Sequence, residues 1–293
     1  MIAVVYSLAD RAGRGSASKL LYMHDWHRSS CAGARECFAS DELGAYLAGF
    51  DEDVLHLDFL DDVFGDDVEA YVVLSRHSSR SGRPSLTVHT TGNPGEAEFG
   101  GRPRELAWSN PRLEGALLIN YASSARARGL LDKYWVGLEA THHGPTNLRK
   151  PITFIEIGST EAEWSDATAQ EAMAEAVSAA LASPLPSCTP AAGFGGTHYP
   201  ERHTRLVLEG RACYGHVLAR YALERPDPGV ISQAIERNWG GIEEVIVERK
   251  STGSTARELL SSVAESRGIR VTYIRDNAIT SRHTHDYYRS FVE

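Results

Sequence analysis

The sequence predicts an α/β fold, with a mainly parallel or mixed sheet flanked by helices. Short runs rich in valine and isoleucine recur along the chain and read as buried strands. Segments with apolar residues at helical spacing fall between many of them. That alternation is the pattern of a sheet covered by helices. The chain has 293 residues, 42% hydrophobic and 24% charged, enough to bury a full core. No repeat, low-complexity tract or linker interrupts it, so residues 1–293 are expected to form one domain.

Met1–Leu8 reads as the first buried strand, followed by a Gly/Ser/Arg-rich stretch at Arg11–Ser18. Val54–Leu60 alternates apolar and polar residues and reads as a strand, and Asp61–Asp67 as an acidic turn. Ala70–Leu74 and Leu86–His89 are short strands ending near His77 and His89. Residues 91–111, rich in Gly, Pro and Asn, read as a long loop of the kind that is often functional. Pro111 or Arg112 opens a helix carrying Leu113, Leu117, Leu118 and Tyr121. Ile152–Ile157 is the clearest internal strand. Thr160 and Glu163 fit a capping box ahead of an alanine-rich helix at about 166–182. Leu206–Leu208 reads as a strand and 211–223 as helical. Glu243–Val247 and Ile269–Ile274 read as strands around a helix with a second capping box, Thr255 with Glu258.

Several classes are set aside. No run of 18 apolar residues exists, which argues against a membrane-spanning helix. The apolar start lacks a basic flank and reads as a strand, not a signal peptide. Cys31, Cys37, Cys188 and Cys213 form no CxxC pair and are expected to be reduced thiols in a cytoplasmic protein. No Walker A loop, GxGxxG or GxSxG motif is present, so nucleotide cofactors and an ordinary serine hydrolase are unsupported. The net charge of −9 runs against an RNA partner, but it is uneven. Residues 76–150 hold 11 basic and 6 acidic side chains, a net +5, which leaves a local phosphate-binding face open.

The histidines cluster. His77 and His89 end consecutive strands, His142 and His143 adjoin Gly144-Pro145, and His198 follows the loop Gly193–Gly196. Neutral imidazole is a common metal ligand, and zinc with an open position activates water. Any single histidine is more often structural than ligating; the set is less readily explained so. Adjacent histidines on an extended backbone point to opposite sides, so His142 and His143 share a site only if the following turn redirects one. Glu156 lies inside an apolar strand, where a carboxylate needs a partner; the plainer alternative is an edge-strand residue facing water. The bare amides of Gly195 and Gly196 could hold an oxyanion or phosphate, or simply make a tight turn.

Four blocks together resemble the archaeal and plant-type D-aminoacyl-tRNA deacylases. They are Ser75-Arg76-His77 with Pro84–Asn93, Gly137–Thr146 around Thr141-His142-His143, Phe154–Thr160 around Glu156, and Gly193–Tyr199. The resemblance spans nearly the whole chain. It implies a fold like peptidyl-tRNA hydrolase and nucleoside phosphorylases. The implied activity is zinc-dependent hydrolysis of the ester between a D-amino acid and the tRNA 3′ end. On that footing Glu156, His142 and Thr141 are the expected catalytic residues. His142, His143, His198, His77 and His89 are the expected zinc ligands. Arg76, Arg80 and Arg83, with Gly195 and Gly196, are expected to meet the acceptor end. A monomer in the cytoplasm is expected. A metallopeptidase or amidase, and a non-catalytic RNA-binding module, remain as rival readings.

Overall fold

The computed structural model describes residues 1–274. Strand β1 (Ile2–Ser7) leads to helix α1 (Arg11–Met23), which Asp10 caps through the Gly13 amide. The stretch read as a Gly/Ser/Arg-rich connection is therefore helical. Its glycines hide it: a Cβ on Gly13 would meet the Leu74 carbonyl at 2.3 Å, and one on Gly15 would meet the Gln170 side chain. Helix propensity is given up there for close approach.

Strands β2 (His27–Arg28), β3 (Glu36–Ser40) and β4 (Ala45–Phe50) follow, then a short helix α2 (Leu60–Phe64). Val54–Leu60, read as a strand, instead makes a 3-10 turn at Val54–His56 and enters α2. Val54, Leu57 and Leu60 bury themselves at turn spacing. Next come β5 (Ala70–Ser78), β6 (Ser85–Thr90), and a two-residue ladder of β7 (Gly92–Asn93) with β8 (Glu105–Leu106). Helix α3 (Pro111–Ala127), capped by Asn110, precedes β9 (Trp135–Leu138) and β10 (Ile152–Ser159). The Thr160–Glu163 capping box opens α4 (Glu161–Trp164), and α5 (Ala167–Ala182) follows.

The C-terminal part carries β11 (Thr189–Phe194), α6 (Glu201–Leu208) and β12 (Ala212–Leu218). It continues through α7 (Pro228–Glu236), β13 (Glu244–Val247), α8 (Ser254–Glu265) and β14 (Arg270–Tyr273). Two expectations reverse here: Leu206–Leu208 ends a helix, and most of 211–223 is strand. Every residue of β12 is buried, so the polar alternation that marks a half-exposed strand is missing. The second capping box is also absent, because α8 starts after Gly253 and Thr255 lies inside the first turn.

The main sheet has the order β2-β3-β4-β1-β5-β10-β6-β9. Its centre, β4-β1-β5-β10, is parallel, while β6 runs antiparallel to β10. A second, parallel sheet has the order β12-β11-β13-β14. The mixed α/β expectation holds. Helices α1, α3 and α5 cover one face of the main sheet, and α3 also packs on β12. On the other face Val5, Val73 and Phe154 pack with Val54, Leu57 and Leu60. Each helix buries a stripe of apolar side chains, and that burial, about 25 cal/mol per Å2, is the main force holding the layers.

The four cysteines are paired, Cys31 with Cys37 and Cys188 with Cys213, correcting the expectation of reduced thiols. Linear spacing did not reveal this, because Cys188 and Cys213 meet only when β11 and β12 lie side by side.

Candidate active site

Strand alternation assembles the floor of the site. The register pairs His77 with Gly158, Glu156 with both Ser75 and Thr87, and His89 with Phe154. With a period of two, His77, Glu156 and His89 share one face of three adjacent strands. Glu156 is thus central and 3% exposed, not an edge residue facing water. Gly158 makes room: a Cβ there would meet the His77 ring at 2.7 Å and Ser85 Oγ at 2.8 Å.

The segment after β9 brings the next groups. The Glu139 amide donates to the Val88 carbonyl of the main sheet, and the Thr141 amide to the Val217 carbonyl of the second sheet. The chain thereby crosses from one sheet to the other, delivering Glu139 and His142. His143 has a left-handed φ of +46°, which ends the alternation and lets both rings face His89. Ring centroids are 4.4 Å apart for His89–His142 and 4.9 Å for His89–His143. His198, after β11, completes the group, with its ring 4.7 Å from His142.

Hydrogen bonds fix the ring tautomers. A carbonyl only accepts, so each Nδ1 facing one carries a hydrogen. His89 Nδ1 donates to Thr90 O (3.0 Å), His142 Nδ1 to Ala140 O (2.8 Å) and His143 Nδ1 to Gly144 O (2.7 Å). Nε2 is thereby left as the lone-pair nitrogen of each neutral ring, and one ring nitrogen from each of these three histidines lies within 4.8 Å of the others. Backbone carbonyls orienting histidines in this way are the usual support of a metal site. His89 Nε2 has no hydrogen-bond partner and lies 3.5 Å from Glu156 Oε2; His142 Nε2 lies 3.5 Å from Glu139 Oε2. Lone pairs facing carboxylates in a buried space call for a proton or a cation between them. The donor set therefore fits a divalent cation.

Charges follow the same geometry. Burial lowers His142, helped by His143 and His89, and holds it neutral. Burial with His89 beside it takes His143 down to about 4. Burial would lower His77 too, but Glu139 (Nδ1–Oε1 3.1 Å) and Glu156 (Nδ1–Oε2 3.4 Å) outweigh it and raise it to about 9. Glu156 raises His89 against the same burial. Glu139 and Glu156 are held low despite burial, Glu139 by His198 and His77, Glu156 by His77 and His89. His77 is accordingly an imidazolium at neutral pH, and its Nε2–H donates to Tyr199 Oη (2.8 Å). His198 Nε2 donates to Glu139 Oε2 (2.8 Å), which leaves Nδ1 as an acceptor.

A cavity of about 410 Å3 opens above this floor, lined by His77, His142, His143, Glu156 and His198, with Arg76, Ser75, Val54, Leu55 and Phe99 on its sides. All five expected histidines and Glu156 thus converge, with His89 buried beneath. Thr141 does not reach the cavity. Its hydroxyl accepts from the Val217 amide (3.1 Å) and lies 3.2 Å from His216 Nδ1, whose Nε2–H donates to Ala107 O. That hydroxyl holds the segment that carries His142. The amides of Gly195 and Gly196, read from the sequence as bare, both have partners. Gly195 N–H donates to Leu218 O (2.8 Å) and Gly196 N–H to Ser251 Oγ (2.7 Å).

Arg76 lines the cavity, stacked on Trp164 and 3.4 Å from Asp53. Arg83 lies over the Trp135 and Tyr199 rings, and Arg80 is exposed on the turn between β5 and β6. Glu139 brackets the double histidine in the sequence together with Glu156, but Tyr199 and the Val54–Leu55–Phe99 wall were not singled out. Tyr199 and Glu139 stood beside prominent histidines, but nothing linear pairs Phe99 with Val54.

An α/β scaffold that converges five histidines and two buried carboxylates on one cavity defines a histidine–carboxylate site suited to hydrolysis. Residues 64–272 match the family model described as D-aminoacyl-tRNA deacylase. A D-aminoacyl-tRNA deacylase of Staphylothermus marinus is 44% identical over 92% of this chain and 98% of its own length. One of Aeropyrum pernix is 45% identical over 93% and 99%. A crystal structure described as a conserved protein of unknown function superimposes with a TM-score of 0.85 at 32% identity, covering 93% of this chain and 95% of that one. The chain belongs to the D-aminoacyl-tRNA deacylase family.

Proposed function

We propose that this protein hydrolyses the ester joining a D-amino acid to the 3′ end of tRNA, releasing free tRNA and the D-amino acid. Family membership supports the reaction class. The observation that carries the chemistry is the trio His89, His142 and His143, each with Nδ1–H spent on a backbone carbonyl and with ring nitrogens clustered within 4.8 Å of one another. We assign that trio to zinc, for which three imidazoles and an open position are a suitable set; His142 and His143 are held neutral, and His89 would give up its Nε2 proton on binding. Bound there, zinc supplies a Lewis acid to the ester carbonyl.

The remaining steps belong to the side chains. His198, oriented by Glu139, offers Nδ1 to take the proton of the attacking water, in the manner of a histidine positioned by a buried carboxylate. His77, charged between Glu139 and Glu156 and held through Nε2–H by Tyr199 Oη, supplies a positive field over the floor, and His198 returns the proton it took from water to the leaving ribose oxygen. Glu156 keeps His77 and His89 in place. Arg76 at the mouth meets phosphate of the acceptor end, and Arg80 and Arg83 extend the basic side. We read the chain as one domain, a reading supported over the described residues by α3 packing on both sheets; residues 275–293 lie outside them. The working form is proposed to be a monomer in the cytoplasm, where charged tRNA is found; elution at the mass of one chain tests the first point.

The test is His142→Ala, assayed for bound zinc and for amino acid release from D-Tyr-tRNA. Loss of both is expected. Retention of full zinc and full activity removes the metal assignment.

A further inference from the structure

The histidine floor accounts for the ester, but one side of the cavity is apolar and has no part in that chemistry. Phe99 stands there with 62% of its surface exposed, beside Leu55 and Val54. Exposure of a single ring is ordinary; what sets Phe99 apart from the exposed Tyr22 and Trp239 is that it lines the cavity. Its position is built, too. The Phe99 carbonyl accepts from the Gly144 amide (2.9 Å), the residue that follows His143. Gly100 and Gly101 take φ of +71° and +73°. A Cβ on Gly100 would strike the Leu55 carbonyl at 2.4 Å, and one on Gly144 the Gly101 amide nitrogen at 2.3 Å. The ring is therefore tied on one side to the turn carrying His143 and on the other to the Leu55 segment. Its distance from the histidine floor is fixed by backbone packing.

We propose that Phe99 is the stacking platform for the terminal adenine of the substrate, which rests on the deacylase reading above. The scissile ester hangs on the ribose of the last nucleotide. The base on that same sugar must lie one sugar away from the ester carbonyl while the carbonyl is over the histidines. Among the described residues lining the cavity, Phe99 is the one aromatic side chain other than histidine. Aromatic stacking is how proteins commonly hold an unpaired base. Arg76 on the polar side then faces the phosphate of the same nucleotide. Phe99 is a positioning residue: it orients the nucleotide and takes no part in proton transfer.

The experiment compares wild type, Phe99→Ala and Phe99→Trp on D-tyrosyl-adenosine, D-alanyl-adenosine and D-Tyr-tRNA, with AMP binding measured by calorimetry. Because the ring is mostly exposed, the variants are expected to fold, and circular dichroism checks it. Phe99→Ala should weaken AMP binding and raise KM by about fivefold or more, equally for the tyrosyl and alanyl esters, with kcat less changed. Phe99→Trp should restore both. Three results overturn the proposal: unchanged AMP binding in Phe99→Ala, no AMP binding by wild type, or a penalty confined to the tyrosyl ester, which would put the ring against the amino acid instead. A wild type that binds AMP through Phe99 yet releases nothing from D-Tyr-tRNA would sink the deacylase reading and leave the platform standing.

Discussion

Replacing Glu156 by Gln keeps the shape of the central side chain and removes one of the two carboxylates that face His77. The rise of His77 from 6.5 to about 9 corresponds to about 3 kcal/mol favouring its charged form, maintained against burial by Glu139 and Glu156. Both oxygens lie within 3.4 Å of Nδ1 and the burial penalty is unchanged by the substitution, so losing one carboxylate should remove more than half, about 2 kcal/mol or more. The sign is set by a raised folded-state value. The contribution is complete below pH 6.5 and disappears as pH rises through about 9. Metal-free wild type should therefore lose stability from pH 6.5 to 9, whereas Glu156→Gln should be weaker at pH 6 and should complete its loss nearer neutrality. Urea unfolding across that range gives the energies, and NMR of the histidine ring protons follows His77 directly. A Glu156→Gln protein in which His77 still titrates near 9, with an unchanged stability profile, would refute the reasoning.

Other perturbations reach different parts of the account. Thr141→Val leaves the Val217 amide without its acceptor and should cost about 1–3 kcal/mol of unfolding free energy; a fully stable but inactive variant would return Thr141 to the chemistry. His203 is fully buried and burial lowers it to about 4, so its contribution is present above pH 6.5 and is lost as pH falls through about 4. His203→Leu should flatten that acid limb in pH-dependent melting, and an unaltered limb contradicts the assignment. Arg76→Ala should weaken tRNA binding and reduce the salt slope of the affinity by about one, and an unchanged slope means no phosphate contact there.

Much of the scaffold was legible because its signals are local. The valine and isoleucine runs of β1, β5 and β10, the Pro111 helix start and the Thr160–Glu163 box each depend on neighbouring residues. Helix α1 was hidden by Gly13 and Gly15, whose value lies in contacts with Leu74 and Gln170 far along the chain. Strand β12 was hidden because burial on both faces erases alternation. At the site, histidine clustering pointed to the right loops. It gave no account of which atoms face inward, since that depends on the left-handed turn at His143 and on carbonyls that cap each Nδ1. The amides of Gly195 and Gly196 looked free because their partners, Leu218 and Ser251, come from later segments.

The most direct test is release of labelled amino acid from D-Tyr-tRNA and L-Tyr-tRNA, each with and without a chelator. The account predicts rapid release from the D-form alone, lost on chelation and restored by zinc. Equal release from both forms, or none from either, contradicts it; D-selective release that a chelator leaves untouched contradicts the zinc assignment to His89, His142 and His143.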